Sequence, residues 1–318
     1  MLASMNSGTG SHRRKRQRQR AGRAILVGLM LQAAAGALAA AEWAIPLESV
    51  LEALQSSRNQ ACSRIASRLG SVALSDCTEG GLELSGALSI TQAPLLVREY
   101  PPLPTRRPRG RVLLFGGIHG DELSSVSIVF KWIQILNEYH SGLFHWHVVP
   151  ALNPDGLLRR PAMRMNANGV DLNRNFPSPN WKDEAPDYWI RRTSRNPRRY
   201  PGPASLSEPE SRWLADEIRR FQPDVIVAVH APLEVLDFDG PPEPPRRLGS
   251  LWLDPMGTYP GSLGRWAGLH LQIPVVTIEL PSAGALPSEK ERMLMWTDLV
   301  RWLTKRLPPR SETLMAGG

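Results

Sequence analysis

His119 and Glu122 lie three residues apart, at the end of the stretch Arg111-Val-Leu-Leu-Phe-Gly-Gly-Ile-His-Gly-Asp-Glu122. An imidazole and a carboxylate so spaced can share one cation, because zinc accepts both nitrogen and oxygen ligands. A motif this short is weak alone. The chemistry therefore depends on a third ligand, a base and an anion clamp from elsewhere in the chain. Apolar runs at 225–229 and 275–278 end at His230 and Glu279, as the run at 112–115 ends shortly before His119. Parallel strands of this kind deliver such side chains to the carboxyl edge of a sheet, where open α/β folds place their sites. His119, Glu122 and His230 then make a His2Glu set for one zinc per chain, with a fourth position left for water. Glu279 is placed to take a proton and pass it to a leaving nitrogen.

Between these ligands lie the turn Asn153-Pro-Asp-Gly156 and the run Arg164-Met-Asn-Ala-Asn-Gly-Val-Asp-Leu-Asn-Arg-Asn-Phe176. The first is a turn signal and nothing more. The second is dense in amides and carries two arginines, whose planar forks suit carboxylates. Asn173 and Arg174 are the candidate clamp for a substrate carboxylate, and Arg164 can face a developing oxyanion. Asp171 can orient a metal-bound imidazole from behind. The competing account is a solvated polar loop. His145 and His147 alternate on a presumed strand edge and read as structural or exposed.

The elements that must position these groups follow from periodicity. Residues 122–139 carry Val126, Val129, Ile133 and Leu136 on one helical face, and 145–150 reads as a strand. Ser207-Glu-Pro-Glu210 and Ser288-Glu-Lys-Glu291 resemble capping boxes opening two later helices. Residues 153–200 form a long loop-rich region, and loops of that length inside domains are usually functional. Strands alternating with helices predict an α/β fold with a mixed, mostly parallel central sheet covered by helices on both faces. Upstream, 42–70 has helical spacing and 80–100 reads as a small antiparallel addition.

Charge and the N-terminus set the compartment. The 318 residues carry a formal +8, but seven basic residues between Arg13 and Arg23 supply most of it, and without them +1 remains. A nucleic-acid partner is not expected, since it requires a clustered basic face on the folded domain. The basic run leads into an apolar, alanine-rich stretch, 24–41, with the grammar of a secretory signal peptide. The expectation is an exported protein, periplasmic or secreted, that touches a membrane only through this segment if it is not cleaved. In an oxidising compartment the two cysteines, Cys62 and Cys77, most simply pair. The chain divides into a signal peptide (1–41), an N-terminal extension (42–105) and a catalytic domain (106–318).

Taken in order, His119-Gly-Asp-Glu122, Asn153-Pro-Asp-Gly156, Gly169-Val-Asp-Leu-Asn-Arg-Asn-Phe176, Ser207-Glu-Pro-Glu210, His230-Ala-Pro232 and Thr277-Ile-Glu-Leu-Pro281 resemble the zinc carboxypeptidase family. Within it they resemble the branch of amidases that act on murein peptides. The resemblance spans about residues 110–305 and implies the family's fold and zinc. It further implies His119, Glu122 and His230 as ligands, Glu279 as general base and acid, and Arg164 at the oxyanion. Asn173 and Arg174 would hold the carboxylate of the departing residue, and Tyr259 is the nearest counterpart of the family's mobile tyrosine. The implied substrate is a murein peptide cut between γ-D-glutamate and meso-diaminopimelate. A carboxypeptidase acting on ordinary peptides and a zinc acylase of the desuccinylase and aspartoacylase type are the alternatives. The segment Phe238-Asp-Gly-Pro-Pro-Glu-Pro-Pro-Arg-Arg247 departs from the branch: it is too proline-rich for the helix expected there.

Overall fold

A computed structural model describes residues 46–307, so the basic and apolar stretch read as a signal peptide lies outside the described residues. Contacts divide the chain into Met1–Leu54, of which only the opening of the first helix is described, and Gln55–Gly318. Helix α1 (Leu47–Arg68) shows Leu47, Val50 and Leu51 to solvent, whereas its later Cys62 and Ile65 are buried. A disulfide joins Cys62 to Cys77, which lies in the short α2 (Leu74–Thr78).

Seven strands make the main sheet: β1 (Glu83–Leu88), β2 (Pro94–Tyr100), β3 (Gly110–Gly116), β4 (Phe144–Val149), β5 (Val225–His230), β6 (Leu236–Asp239) and β9 (Val275–Glu279). A separate two-stranded ribbon holds β7 (Arg247–Leu248) and β8 (Leu251–Trp252). The order in the sheet is β1-β2-β4-β3-β5-β9-β6. The centre, β4-β3-β5-β9, is parallel. The β1–β2 and β2–β4 pairs on one side, and the β6–β9 pair on the other, are antiparallel. Strands β1 and β2, assigned from sequence to an extension ending at 105, thus belong to the same sheet as the catalytic strands. β4 is an inner strand, so His145 and His147 do not sit on an edge as the sequence suggested. Both bond Glu99 across the β2–β4 pair.

The continuous apolar runs are explained by cover on both faces. On one face Val112, Leu114 and Val227 pack under α3 (Leu123–Tyr139) and α7 (Glu289–Arg306), with Trp132, Trp296 and Trp302 filling the layer. Helices α4 (Pro154–Leu158) and α5 (Trp181–Arg191) lie in the long loop region. On the other face, Leu113, Phe115 and Ile226 meet α6 (Pro209–Phe221) and a π-helical turn (Gly264–His270) through Leu214, Ile218 and Trp266. Ser288 caps α7 as its sequence predicts, accepting from the Glu291 amide. Ser207 does not cap α6. Glu208 occupies the cap position and Pro209 opens the helix, while the Ser207 hydroxyl donates to the Glu208 carboxylate. Glu208 and Glu210 instead receive the Asn166 amide, and Glu208 also that of Asn168. These two asparagines are therefore scaffold for the long loop.

Candidate functional site

Strand ends bring the reactive groups together. β3 leaves the sheet through Gly116 and Gly117 and delivers His119 and Glu122. Gly120 between them is a packing requirement: a Cβ there would lie 2.2 Å from the backbone carbon of Gly156, in the Asn-Pro-Asp-Gly turn. That turn is a clamp of its own. Asn153 accepts from the Gly156 amide and donates to the carbonyls of Ile118 and Arg164, tying the ligand loop to the start of the arginine segment. β5 and β9 run parallel with His230 directly opposite Glu279, which sets the third ligand beside the base.

The three donors converge. His119 Nδ1 lies 2.7 Å from Glu122 Oε1, His230 Nδ1 3.2 Å from Glu122 Oε2, and the two Nδ1 atoms are 3.2 Å apart. Two ring nitrogens that both turn their Nδ1 toward one carboxylate are awkward as a closed hydrogen-bond set, since a lone pair must face a lone pair or two protons must clash. As zinc ligands they fit, because zinc–nitrogen bonds of about 2.0–2.1 Å in tetrahedral geometry give a nitrogen–nitrogen edge of roughly 3.3 Å. The group is buried, with His119, Glu122 and His230 each 5% exposed or less. Burial alone would raise the Glu122 carboxyl, but the neighbouring imidazoles hold it well below the ordinary carboxylate range. Behind His119 stands Asp171, fully buried, which accepts from its Nε2 at 3.1 Å. Burial opposes ionisation of Asp171 too, and Arg164 with His119 overcomes it.

These groups open onto a cleft of about 440 Å3 lined by His119, Glu122, Arg164, Asn173, Arg174, His230, Tyr259 and Glu279. Every cleft residue expected from sequence is therefore brought to one place. Glu279 is 7% exposed, and burial raises its carboxyl against the opposing pull of His230. Arg164 donates through Nε to Asp171 at 3.1 Å and reaches Glu122 at 3.4 Å. Arg174 is held by Nη1 on the Asn173 carbonyl and lies 4.5 Å over the Tyr259 ring. Its Nε is buried without a partner. Burial pulls its guanidinium down to about 10, still charged at neutral pH. Asn173 Oδ1 accepts from the Leu263 amide. The segment 260–262 reaches the same clamp: Gly261, at φ +79°, comes so near the Arg174 carbonyl that a Cβ would sit 1.9 Å from its oxygen.

The cleft also holds residues not anticipated. Asp237 and Asp239 alternate on β6 and face inward, a pattern that strand periodicity could have revealed. Burial, with Asp237 adding repulsion, pushes Asp239 up to about 7. Arg198 and Arg199 come from a short 3-10 turn in the long loop, where no periodicity marks them.

The family model for zinc carboxypeptidases matches residues 87–238. The chain is 34% identical over 224 residues to murein peptide amidase A of Escherichia coli strain K12, covering 68% of this chain and 88% of that relative. It is 31% identical over 204 residues to murein peptide amidase A of Vibrio campbellii, covering 62% and 78%. Among solved structures, bovine thrombin-activatable fibrinolysis inhibitor aligns with a TM-score of 0.54 at 19% identity, over 73% of this chain and 93% of that one, a likeness of fold.

Proposed function

Because this chain belongs to the zinc carboxypeptidase family and is a metallopeptidase that uses zinc, we propose that it hydrolyses the amide bond between γ-D-glutamate and meso-diaminopimelate in murein peptides. His119, Glu122 and His230 would hold the zinc, which when bound would supply an acidified water and a polarised scissile carbonyl. The other duties fall to the chain. His119 presents Nδ1 to the metal because Asp171 accepts the proton on Nε2, which fixes the tautomer. Glu279 takes a proton from the attacking water and delivers it to the departing nitrogen. Its raised pKa suits a group that must both accept and return a proton. Arg164 offers its charge to the oxyanion, while Asn173 and Arg174 hold the carboxylate of the departing residue, with Tyr259 against the guanidinium.

One observation carries the substrate: a buried, incompletely bonded Arg174 lines the same cleft as Asp237 and Asp239. Diaminopimelate offers the carboxylate beside the scissile nitrogen to the first, and its far end offers an ammonium, next to a second carboxylate, to the others. A C-terminal lysine or arginine would meet the same charges, so ordinary peptides are the second reading. L-Ala-γ-D-Glu-meso-diaminopimelate separates the two. Release of diaminopimelate is expected, and its absence, together with trimming of ordinary peptides, overturns the murein assignment. Glu279→Gln should keep stoichiometric zinc and lose turnover about 10²–10⁴-fold; undiminished turnover removes Glu279 from its role. Export is part of the proposal, supported by the basic and apolar N-terminal sequence and by the disulfide.

A further inference from the structure

Arg164, Arg174, Arg198 and Arg199 all line the cleft, and the carboxylates they meet are few. Arg198 pairs with Asp121 at 2.7 Å, and Arg164 with Asp171 at 3.1 Å. Glu122 is committed to the metal. Arg199 has Asp171 as its nearest carboxylate, at 4.0 Å, with Arg164 and Arg198 close enough to repel it. Apart from Glu122, which Arg164 also reaches at 3.4 Å, the four guanidinium groups share two carboxylates within 4.0 Å, which leaves Arg174 and Arg199 able to take two bound anions. The departing residue's carboxylate, on Arg174, is one of them.

The second vacancy is built rather than incidental. The turn Pro197–Arg199 is capped by Asn196, whose side chain accepts from the Arg198 amide. Trp189 donates to the Asn196 carbonyl and packs on Tyr200, and the Tyr200 carbonyl accepts from the Asp171 amide. The loop is therefore fixed to the same aspartate that supports His119. Its position is also directional. β3 and β6 flank β5 and β9 on opposite sides. Asp121 and its partner Arg198 belong to the β3 side of the metal centre, away from the Asp237–Asp239 floor on β6. A substrate whose departing residue points to that floor lays its acyl part toward Arg198, and Arg199 lies within electrostatic reach of both Arg198 and the Arg174–Tyr259 clamp.

We propose that Arg199, with Arg198 beside it, forms a second carboxylate subsite that reads the α-carboxylate left free by a γ-glutamyl linkage. The inference rests on the murein reading above and deepens it. An α-linked peptide has no carboxylate at that carbon, because its α-carboxyl is consumed in the scissile bond. A γ-linked glutamate always does, and a bidentate guanidinium contact distinguishes the two. The subsite therefore selects linkage type, whereas Arg174 reads only the chain end.

The test compares L-Ala-γ-D-Glu-meso-diaminopimelate with the same tripeptide carrying an α-carboxamide on the glutamate. The native enzyme should favour the free acid by about ten- to hundredfold in kcat/KM, the scale of a charge-assisted hydrogen bond. In R199A the ratio should shrink to about threefold or less, with the loss falling on the free acid, and R199K should recover part of it. Zinc stoichiometry of each variant reports that the metal centre is intact. Equal rates of the native enzyme on both tripeptides overturn the subsite and leave the murein reading standing. Retention of the full ratio in R199A overturns the assignment to Arg199. Turnover of neither tripeptide, with ordinary peptides still trimmed, overturns both.

Discussion

Asp171→Asn is the substitution that most directly probes how the metal centre is built. Asp171 Oδ1 accepts from His119 Nε2 and from the Asn173 amide, each at 3.1 Å, and Oδ2 accepts from Arg164 Nε at 3.1 Å. Asparagine preserves the shape but has one acceptor. If its oxygen stays with His119 and Asn173, its amide group meets the Arg164 Nε proton, donor against donor. If it turns over, the amide faces His119 Nε2 and forces the proton to Nδ1, which removes the lone pair that His119 offers the metal. Either arrangement is penalised at a site with no solvent exposure to relieve it. Loss of an outer partner of a ligating histidine weakens metal binding by about 10–100-fold, or about 1.4–2.7 kcal/mol. Loss of the charged bond to Arg164 should lower the stability of the zinc-free protein by a further ~1.5–3 kcal/mol. Competition with a chromophoric chelator measures the first and urea denaturation of the apoprotein the second. A zinc Kd within twofold of the native value would refute the role given to Asp171, and with it the Nδ1 ligation of His119.

Arg174→Ala should raise KM on substrates with a free terminal carboxylate by about 10–100-fold; an equal loss on C-terminally amidated substrates would argue that Arg174 serves the fold and not the clamp. Asp239 is pushed up to about 7, so it gains its negative charge as pH rises through neutrality. KM for a diaminopimelate substrate should therefore fall between about pH 6 and pH 8, and Asp239→Asn should flatten that dependence. Replacing both Cys62 and Cys77 by serine should cost about 3 kcal/mol in urea denaturation, as expected for a closed loop of this size. Two alkylatable thiols in the native protein would contradict the bond.

What the sequence disclosed, it disclosed locally. The runs ending at His230 and Glu279 were legible because a strand covered on both faces is continuously apolar and its polar end stands out. His119 and Glu122 shared that advantage. Tyr259 could be named only by likeness to the family, since nothing in its neighbours says that its ring lies against Arg174. Ser207 misled because the capping-box pattern is met equally by a chain in which Glu208 takes the cap and Glu210 is turned inward to an asparagine. Asn166 and Asn168 look identical in type to Asn173, yet two serve the loop and one lines the cleft. That difference depends on contacts more than thirty residues distant in sequence. Arg199 was invisible for the same reason: only the fold sets it near Asp171.

The pairing of β2 with β4 has a practical consequence. Asp155, in the Asn-Pro-Asp-Gly turn, accepts from the Ser89 hydroxyl at 2.6 Å and from the Thr91 amide at 3.0 Å. The β1–β2 hairpin is thereby fastened both to the flank of the sheet and to the loop that supports the ligands. Cutting the chain at 106, where the recognisable motifs begin, would strip one side of β4 of its backbone partners and take from Asp155 its Ser89 and Thr91 partners. An open strand of this kind recruits other chains. Such a truncated enzyme should aggregate during expression before its catalysis can be measured, so the hairpin acts as a built-in guard against self-association.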